Sequence, residues 1–452
     1  MNSVKLLNFV VLAAGKGTRM NSDLPKVMHN IADMPMINIL LNEVKSCNPK
    51  HCHIVVSHEG KKIVESSVEK VGLASVSAVV QEERLGTGHA AKIALDSFPS
   101  DSSKGVLIIL YGDTPFISKE TIFSLEEEIS SGNAVSIVGF DAPYENEYGR
   151  LVVDSKGSLK EIVEFKDANQ EQKNITLCNS GIMALDLKLA GQLLSEIKDN
   201  NAKKEFYLTD IVAIAKSKGL MVSHIIADEL EVQGINNKVE LAKANKYYFS
   251  RIRDRVMQQG VTLIDPETTY LSADTVIGKD VVIEPNVTIL SGVKIGNNVR
   301  IKSFSHIESS DIGDDVSVGP FARIRPGSKL DNGARIGNFV EIKNSNLGVG
   351  AKVNHLSYIG DTDLGSDVNV GAGAITCNYD GYKKYKTKIG SGVFIGSNTA
   401  LIAPIEVGDR SIVAAGSTIT RDIPEDSITI SRLEQKDIIG GATKYRNKKK
   451  EA

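Results

Sequence analysis

Residues 276–301 read VIGKDVVIEPNVTILSGVKIGNNVRI, and their period decides the fold of the second half of the chain. Ile277, Ile283, Ile289, Ile295 and Ile301 recur every sixth residue; Val281, Val287, Val293 and Val299 keep the same register, and a Gly, Glu or other small or polar residue usually follows. Hexad repetition of this kind marks a parallel β-helix, in which three short strands close one triangular coil and the aliphatic residue of each hexad points inward. The register slips by one residue before Ile312, Leu347 and Leu364 and resumes from Ile389 through Ile395, Leu401, Val407, Val413 and Ile419. It is broken from Thr376 to Lys388, where a loop projecting from the prism is expected. Glycine and β-branched residues dominate the region and no three-to-four spacing survives, which excludes a helical reading. Read from geometry alone, such a prism serves equally as a stalk or as a catalytic domain.

The first half has a different period. Apolar runs Phe9 to Leu12, His53 to Val56, Val76 to Val80, Val106 to Leu110 and Ala134 to Val138 alternate with helix-like segments such as Met36 to Lys45 and Ile122 to Glu128. That alternation predicts a mostly parallel sheet covered on both faces, with ligands at the carboxyl ends of its strands. Lys5 followed by Leu6 to Ala14 imitates a short signal peptide but runs straight into a glycine-rich motif, so it reads as a buried first strand. Asn237-Lys238-Val239-Glu240 caps a helix whose Leu241, Ala244, Tyr248, Ile252 and Val256 share a face and which closes near Gly260. The expected organisation is 1–230, a linker helix over 231–260, and a repeat domain over 261–452.

A chain of 452 residues has room for two or three domains. With 41 % apolar residues and a formal charge of -3 it carries no broad field for nucleic acid, so an anionic ligand has to be held locally. The longest apolar runs fall far short of the roughly 20 residues of a membrane span, and no membrane insertion is expected. Cys47, Cys52, Cys178 and Cys377 are scattered without framework spacing, which suits a reducing, cytoplasmic setting. Cys47, His51, Cys52 and His53 crowd together but lack the spacing of a zinc finger or ribbon.

Leu12-Ala13-Ala14-Gly15-Lys16-Gly17-Thr18-Arg19-Met20 follows the first strand and precedes Leu24-Pro25-Lys26. Glycines let backbone amides approach phosphate oxygens, and Arg19 with Lys26 can balance the charge of a triphosphate. The string lacks the Gly-Lys-Ser/Thr of a P-loop and does not complete a dinucleotide fingerprint. Tyr111-Gly112-Asp113 ends the strand that starts at Val106 and puts a carboxylate at the ligand-bearing edge. Magnesium commonly takes one or two protein oxygens, so Asp113 with the amide oxygen of Asn236 would suffice. Taken singly, Asp113 is equally a turn residue and Asn236 a neighbour of the helix cap.

In the repeat region Arg323 to Gly327, Glu341-Ile342-Lys343 and Asn354 to Asp361 do not serve an inward core. Arg325 and Lys343 lie 18 residues apart, one coil of three hexads, so both can stand at one edge on adjacent turns. Two stacked cations suit a phosphate; solvated surface charges are the alternative. His355 lies near a register slip, where irregular backbone can turn a side chain outward. An imidazole, with an ordinary pKa of about 6.5, can take a proton from an amine at neutral pH, although a lone histidine is also a common structural residue.

These strings, together with Gln81, Leu85-Gly86-Thr87-Gly88-His89-Ala90, Tyr148-Gly149-Arg150, Val163-Glu164 and Asn179-Ser180-Gly181, resemble the signatures of sugar-nucleotide pyrophosphorylases. With the repeats included, nearly the whole chain resembles the bifunctional N-acetylglucosamine-1-phosphate uridyltransferase/glucosamine-1-phosphate acetyltransferase family. The resemblance implies an α/β Rossmann-like nucleotidyltransferase domain, a linker helix and a left-handed parallel β-helix. It implies that Leu12, Ala13, Ala14, Gly15, Gln81, Gly86, Thr87, Tyr111 and Gly112 surround the uridine nucleotide, with Arg19 and Lys26 as the catalytic cations on its phosphates. It places Gly149, Glu164 and Asn179 on the amino sugar and Asp113 and Asn236 on Mg2+.

For the second half the resemblance makes His355 the general base and Arg325, Lys343, Tyr358 and Asn369 the amino-sugar positions. Ala372, Asn378, Tyr379, Ser397, Ala415 and Arg432 become acetyl-CoA positions, with the loop opening at Thr376-Cys377-Asn378. Direct transfer from a thioester needs no acyl-enzyme, so Cys377 is not assigned as a nucleophile. The implied partners are glucosamine-1-phosphate, acetyl-CoA and UTP, and two further copies of the chain in a homotrimer whose acetyl sites are shared. The sequence departs from the family at Leu433-Glu434-Gln435, where a Val-Pro-Gln type of continuation is expected, and its lysine-rich end reads as a solvated tail. Two rivals are a pyrophosphorylase for another sugar with a structural prism and a non-catalytic assembly subunit. His355 and the 376–388 loop argue against the first; Arg19, Lys26 and Asp113 argue against the second.

Overall fold

The computed structural model describes residues 6–99, 104–142, 146–155, 157–201 and 204–450; Lys5 lies outside them. The chain divides into two compact units, 1–248 and 249–452, and the division falls within the helix Lys238–Gln258.

In the first unit seven strands line up in one sheet: β1 (Leu7–Leu12), β2 (His51–Val56), β3 (Val76–Val80), β4 (Val106–Tyr111), β5 (Val135–Asp141), β6 (Leu177–Asp186) and β7 (Val222–Ile226), in the spatial order β7-β5-β6-β4-β1-β2-β3. All neighbours are parallel except β6, which runs antiparallel to both β4 and β5. Alternate residues of β1 and β4 enter two different cores: Phe9, Val11, Ile108 and Leu110 one, Val10, Leu107 and Ile109 the other. Both faces are therefore dry, which is why these strands read as unbroken apolar runs. Helices Met36–Ser46 and Lys119–Ser130 supply Leu40, Leu41, Ile122 and Leu125 to the first core, while Thr87–Asp96 and Leu187–Ser195 supply Ala90, Ala94 and Leu193 to the second. Neither layer covers the carboxyl ends of β1 and β4. A side hairpin, Arg150–Val153 with Leu159–Val163, pairs with β6 at Cys178. The capping pattern at residue 237 is formed: Asn237 Oδ1 accepts from the Glu240 amide at 2.9 Å and its Nδ2 donates to Glu240 Oε1 at 2.6 Å.

The second unit is the left-handed β-helix. Two- to four-residue strands stack into three parallel sheets, here the first, second and third faces, of ten, nine and eight strands among the described residues. Leu263, Leu271 and Ile277 begin the inward columns of the three faces, followed by Ile283, Ile289 and Ile295, which pair with Ile301, Ile307 and Ile312 one coil on; these last six are nearly inaccessible to solvent. All three register slips fall on the corner between the second and third faces. There Ser309, Asn344 and Asp361 take positive φ (39°, 45° and 50°), and the following Ser310, Ser345 and Thr362 point inward. Each of these hydroxyls donates to the carbonyl two residues back, at 2.7, 2.8 and 2.8 Å, so a five-residue corner closes without an orphaned polar group.

The structure corrects two expectations. His355 does not lie at a slip: it sits on the ordinary six-residue corner between the first and second faces, from Val353 to Ile359, and points outward because Leu356 turns the chain at φ 50°. The interruption is also shorter than 376–388. Thr376 keeps register with Leu401, faces inward at 1 % exposure, and accepts the Gly360 amide through Oγ1 at 2.8 Å; Thr387 resumes the ladder opposite Ile405. Only residues 378–386 leave the prism, pinned by a bridge between Tyr379 and Lys384.

Candidate functional site

At the carboxyl ends of β1 and β4 a cavity of about 890 Å3 opens. Leu12, Ala13, Ala14, Gly15, Arg19, Lys26, Gln81, Gly86, Thr87, Tyr111, Asp113, Gly149, Glu164 and Asn179 all line it. Gly112, between Tyr111 and Asp113, is not itself among the lining residues; its amide donates to the Leu12 carbonyl at 2.9 Å. Two glycines are dictated by contact. Gly17 has φ 61°, and a Cβ there would stand 2.8 Å from Cβ of Lys26; Gly86 has φ 116°, and a Cβ would meet the Phe206 carbonyl oxygen at 2.6 Å. Gly86 also precedes the helix Thr87–Asp96, whose residues Thr87 and Ala90 line the cavity, while the Gly88 amide donates to the Phe206 carbonyl at 2.8 Å.

Lys26 is the hub of the charge. Its ammonium is ion-paired with Asp113 Oδ2 and donates to Asn236 Oδ1 at 2.7 Å, while Arg19 Nη2 donates to the same amide oxygen at 2.9 Å. The Asn236 amide in turn donates to Glu240 Oε2 at 2.7 Å, so the helix that follows aims this side chain into the cluster. Two hard oxygens from residues 113 and 236 thus converge on one cation, the lysine ammonium, and that donor set fits Mg2+, which needs few protein oxygens when phosphates and water supply the rest. On the opposite wall Asn179 accepts the Gly181 amide at 3.0 Å and its own amide donates to the Gly149 carbonyl at 2.7 Å; Thr209 donates to Glu164 Oε1 at 3.4 Å.

Arg84 was not foreseen. It lines the cavity, donates through Nε to the Ala14 carbonyl at 3.1 Å and through Nη2 to Glu59 Oε2 at 3.2 Å, tying three loops of the sheet edge together. Its place two residues before Gly86 was the available signal.

Burial decides the fate of the cysteine and histidine cluster. It pushes the Cys47 thiol up to about 11 and the Cys52 thiol up to about 12, and pulls His53 down. His53 Nδ1 is occupied by Ser97 Oγ at 2.9 Å and the Ala94 carbonyl at 3.1 Å.

In the prism the acetyl-site candidates separate onto two corners. On the corner between first and second faces, His355 pairs laterally with Asn338, and the ladder climbs through Gly373 to His355, Asn398 to Ala372 and Gly416 to Ser397 (amide to carbonyl, 3.2, 2.8 and 2.8 Å). Arg432 donates to the Ala415 carbonyl, so Ala372, Ser397, Ala415 and Arg432 form one column above the imidazole. Asn369 stands on the first face beside Lys352. On the corner between second and third faces, the Arg325 amide bonds the Ile342 carbonyl at 2.8 Å, which sets Arg325 and Lys343 on adjacent coils. Arg325 pairs with Glu341 at 2.8 Å and Lys343 with Asp361 at 3.6 Å.

Asn378 joins this second group rather than the column, donating to Asp361, which also accepts from Asn344 at 2.6 Å. Burial works against the charge of Asp361, but the two amides and the Lys343 ammonium hold its carboxyl below the usual range. Tyr358 lies between the corners with its ring over Gly360, and Tyr379 is 60 % exposed at the loop. Asn338, missed in the sequence, holds His355 Nδ1 at 2.9 Å; a 17-residue coil offset from His355 points to it. A separate hollow of about 620 Å3 on the third face, lined by residues such as Asp363, Lys388 and Glu406, contains none of these groups.

A description of the MobA-like NTP transferase domain matches residues 9–177, and one of bacterial transferase hexapeptide repeats matches 274–309, 309–344 and 386–421. The chain is similar along its length to proteins named "Bifunctional protein GlmU". It is 46 % identical to that of Zymomonas mobilis subsp. mobilis, covering 100 % of both chains. It is 45 % identical to that of Paramagnetospirillum magneticum (97 % of this chain, 96 % of the relative) and 48 % identical to that of Bradyrhizobium diazoefficiens (97 % and 96 %). A nucleotidyltransferase sheet and a hexapeptide prism joined in one chain, each with its own polar centre and matched end to end by these relatives, place this chain in the bifunctional GlmU family.

Proposed function

We propose that the prism transfers acetyl from acetyl-CoA to glucosamine-1-phosphate and that the first unit couples the product to UTP, releasing pyrophosphate and UDP-N-acetylglucosamine. The observation that carries this reading is the convergence of Arg19, Lys26, Asp113 and Asn236, 217 residues apart at the extremes, on one hydrogen-bonded cluster in the cavity of the first unit.

For uridylyl transfer the sugar phosphate is already an anionic nucleophile, so no protein base is required. Gln81, Gly86, Thr87 and the loop from Leu12 to Gly15 hold the nucleotide, Gly149, Glu164 and Asn179 hold the amino sugar, and Arg19 and Lys26 neutralise phosphate charge as the leaving pyrophosphate departs. Asp113 and Asn236 are the residues that would hold Mg2+, which when bound supplies further neutralisation of the phosphate oxygens.

For acetyl transfer His355 takes a proton from the sugar amine as nitrogen attacks the thioester carbonyl, and the thiolate of CoA leaves. Arg325 and Lys343 meet the sugar phosphate; Tyr358 and Asn369 meet the sugar; Ala372, Asn378, Tyr379, Ser397, Ala415 and Arg432 line acetyl-CoA, Arg432 suiting a phosphate. His355 and Gly360, the lateral partner of Lys343, stand on the two different corners that flank the second face, five residues apart, a span of at most about 16 Å. The amine and phosphate of glucosamine-1-phosphate sit on adjacent ring carbons, so we assign each acetyl site to two copies of a homotrimer. No helix among the described residues is long and apolar enough to cross a membrane, and the four cysteines are free thiols, which supports a cytoplasmic setting. A product assay with glucosamine-1-phosphate, acetyl-CoA, UTP and Mg2+, each omitted in turn, tests the order: UDP-N-acetylglucosamine is expected only with all four, and N-acetylglucosamine-1-phosphate without UTP. Nucleotide-sugar formation without acetyl-CoA would refute the acetylation-first order.

A further inference from the structure

Two short segments carry the charge hub of the nucleotide cavity. The first is the 3-10 turn Lys26–Met28, closed by the His29 amide donating to the Lys26 carbonyl at 3.3 Å; the second, residues 235–238, leads into the helix Lys238–Gln258. They are joined reciprocally. Lys26 of the first donates to Asn236 Oδ1 of the second at 2.7 Å, and Lys238 of the second holds its ammonium 3.1 Å from Nδ1 of His29 in the first. An ammonium can only donate, so Nδ1 accepts and the imidazole is neutral, with its proton on Nε2. Burial, and then the Lys238 charge, pull the His29 pKa down, in keeping with that form. The Nε2 end has no hydrogen-bond partner among the described residues, and His29 is only 7 % exposed. An orphaned buried donor costs stability that an apolar ring of similar size would not lose. Packing therefore does not explain a histidine here, whereas the acceptor on Nδ1 does.

We infer that His29 and Lys238 form a strap that keeps Asn236 in register with Asp113 when Mg2+ takes the place of the Lys26 ammonium, which makes His29 a positioning residue for uridylyl transfer. The inference rests on the metal-assisted reading above and adds to it the contact that persists on loading. Lys26 now occupies the two oxygens that fit Mg2+, so its bond to Asn236 has to open in the loaded site. Among the described residues, the strap is then the side-chain bond that remains between 26–29 and 236–238. Other supports of the same platform act on either side of it. The Ile235 amide donates to the Asp113 carbonyl at 2.9 Å, and Asn245 Oδ1, two turns along the helix, accepts the Ala32 amide at 2.9 Å. Lys238 itself is exposed, so replacing it leaves the core intact.

The test is the affinity of the full chain for Mn2+, used in place of Mg2+, with saturating UDP-N-acetylglucosamine present and the free ion read by electron paramagnetic resonance. His29→Phe keeps a ring and removes the acceptor; Lys238→Met removes the donor. Each is expected to weaken Mn2+ binding about tenfold, the low end for partners that orient a metal ligand. His29→Asn, whose amide oxygen can replace Nδ1, is expected to bind as the wild type does. The double variant His29→Phe/Lys238→Met is expected to be no weaker than either single one, because the same bond is lost only once. Affinity for UDP-N-acetylglucosamine without metal should not change in any of them. Should His29→Phe fail to fold, Lys238→Met and Lys238→Arg decide, with loss expected in the first and retention in the second. Wild-type Mn2+ affinity in Lys238→Met, a His29→Asn variant as weak as His29→Phe, or losses that multiply in the double variant would overturn the inference. Asp113→Ala tests the underlying reading separately. Wild-type Mn2+ binding in that variant removes the metal assignment itself; loss there, with full binding in the strap variants, removes the strap alone.

Discussion

Nδ1 of His355 lies 2.9 Å from Oδ1 of Asn338, its lateral neighbour on the preceding coil. An amide oxygen can only accept, so the contact fixes the proton on Nδ1 and leaves the Nε2 lone pair free for the substrate amine. Asn338→Ala should therefore lower kcat for acetyl transfer about tenfold, the worth of one hydrogen bond of about 1.4 kcal/mol, with little change in KM and none in uridylyl transfer. Steady-state kinetics of the two half-reactions checks this.

Arg84 lines the cavity of the first unit and bridges the Ala14 carbonyl and Glu59. It holds the glycine-rich loop before and during reaction alike, so its loss should appear in binding. Arg84→Gln is expected to raise KM for UTP about three- to tenfold at nearly constant kcat. Glu59→Gln should do less, since that ion pair is largely solvent-exposed.

Asp361 makes the stability of the prism depend on acid. Its folded-state pKa is depressed, so the stabilisation is fully present above the ordinary carboxylate value and is lost as pH falls through the lowered one. Asp361→Asn should flatten the decline in unfolding temperature between about pH 4 and the point where the wild-type carboxyl protonates. Thermal unfolding followed by circular dichroism at pH 6 and pH 3 measures the difference.

Both folds were legible because each writes a period into the chain. Ile277 to Ile301 keep a sixfold beat since every coil needs one aliphatic residue per side, and β1 and β4 are continuous apolar runs since both their faces are covered. What escaped has a common cause, which is contact between residues distant in sequence. Thr376 reads as a break in the hydrophobic pattern, yet its hydroxyl is satisfied by Gly360 on the neighbouring coil, so a polar residue fills an inward slot without penalty. His355 stands six residues before the slip at Asp361, on an ordinary corner; the positive φ of Leu356 that turns the chain there is invisible in a leucine. The antiparallel β6 lacks any local mark of its direction. The Arg19, Lys26, Asp113 and Asn236 cluster was found by its motifs, but its hub, the lysine between two oxygens, emerges only from the fold.

The separation of two catalytic centres in one chain is tested most directly by measuring both half-reactions in Asp113→Ala and His355→Ala. Asp113→Ala should reduce uridylyl transfer by about 100-fold or more and leave acetyl transfer intact, and His355→Ala should do the opposite by a similar factor. Loss of both activities in either folded variant, or full acetyl transfer without His355, would contradict it.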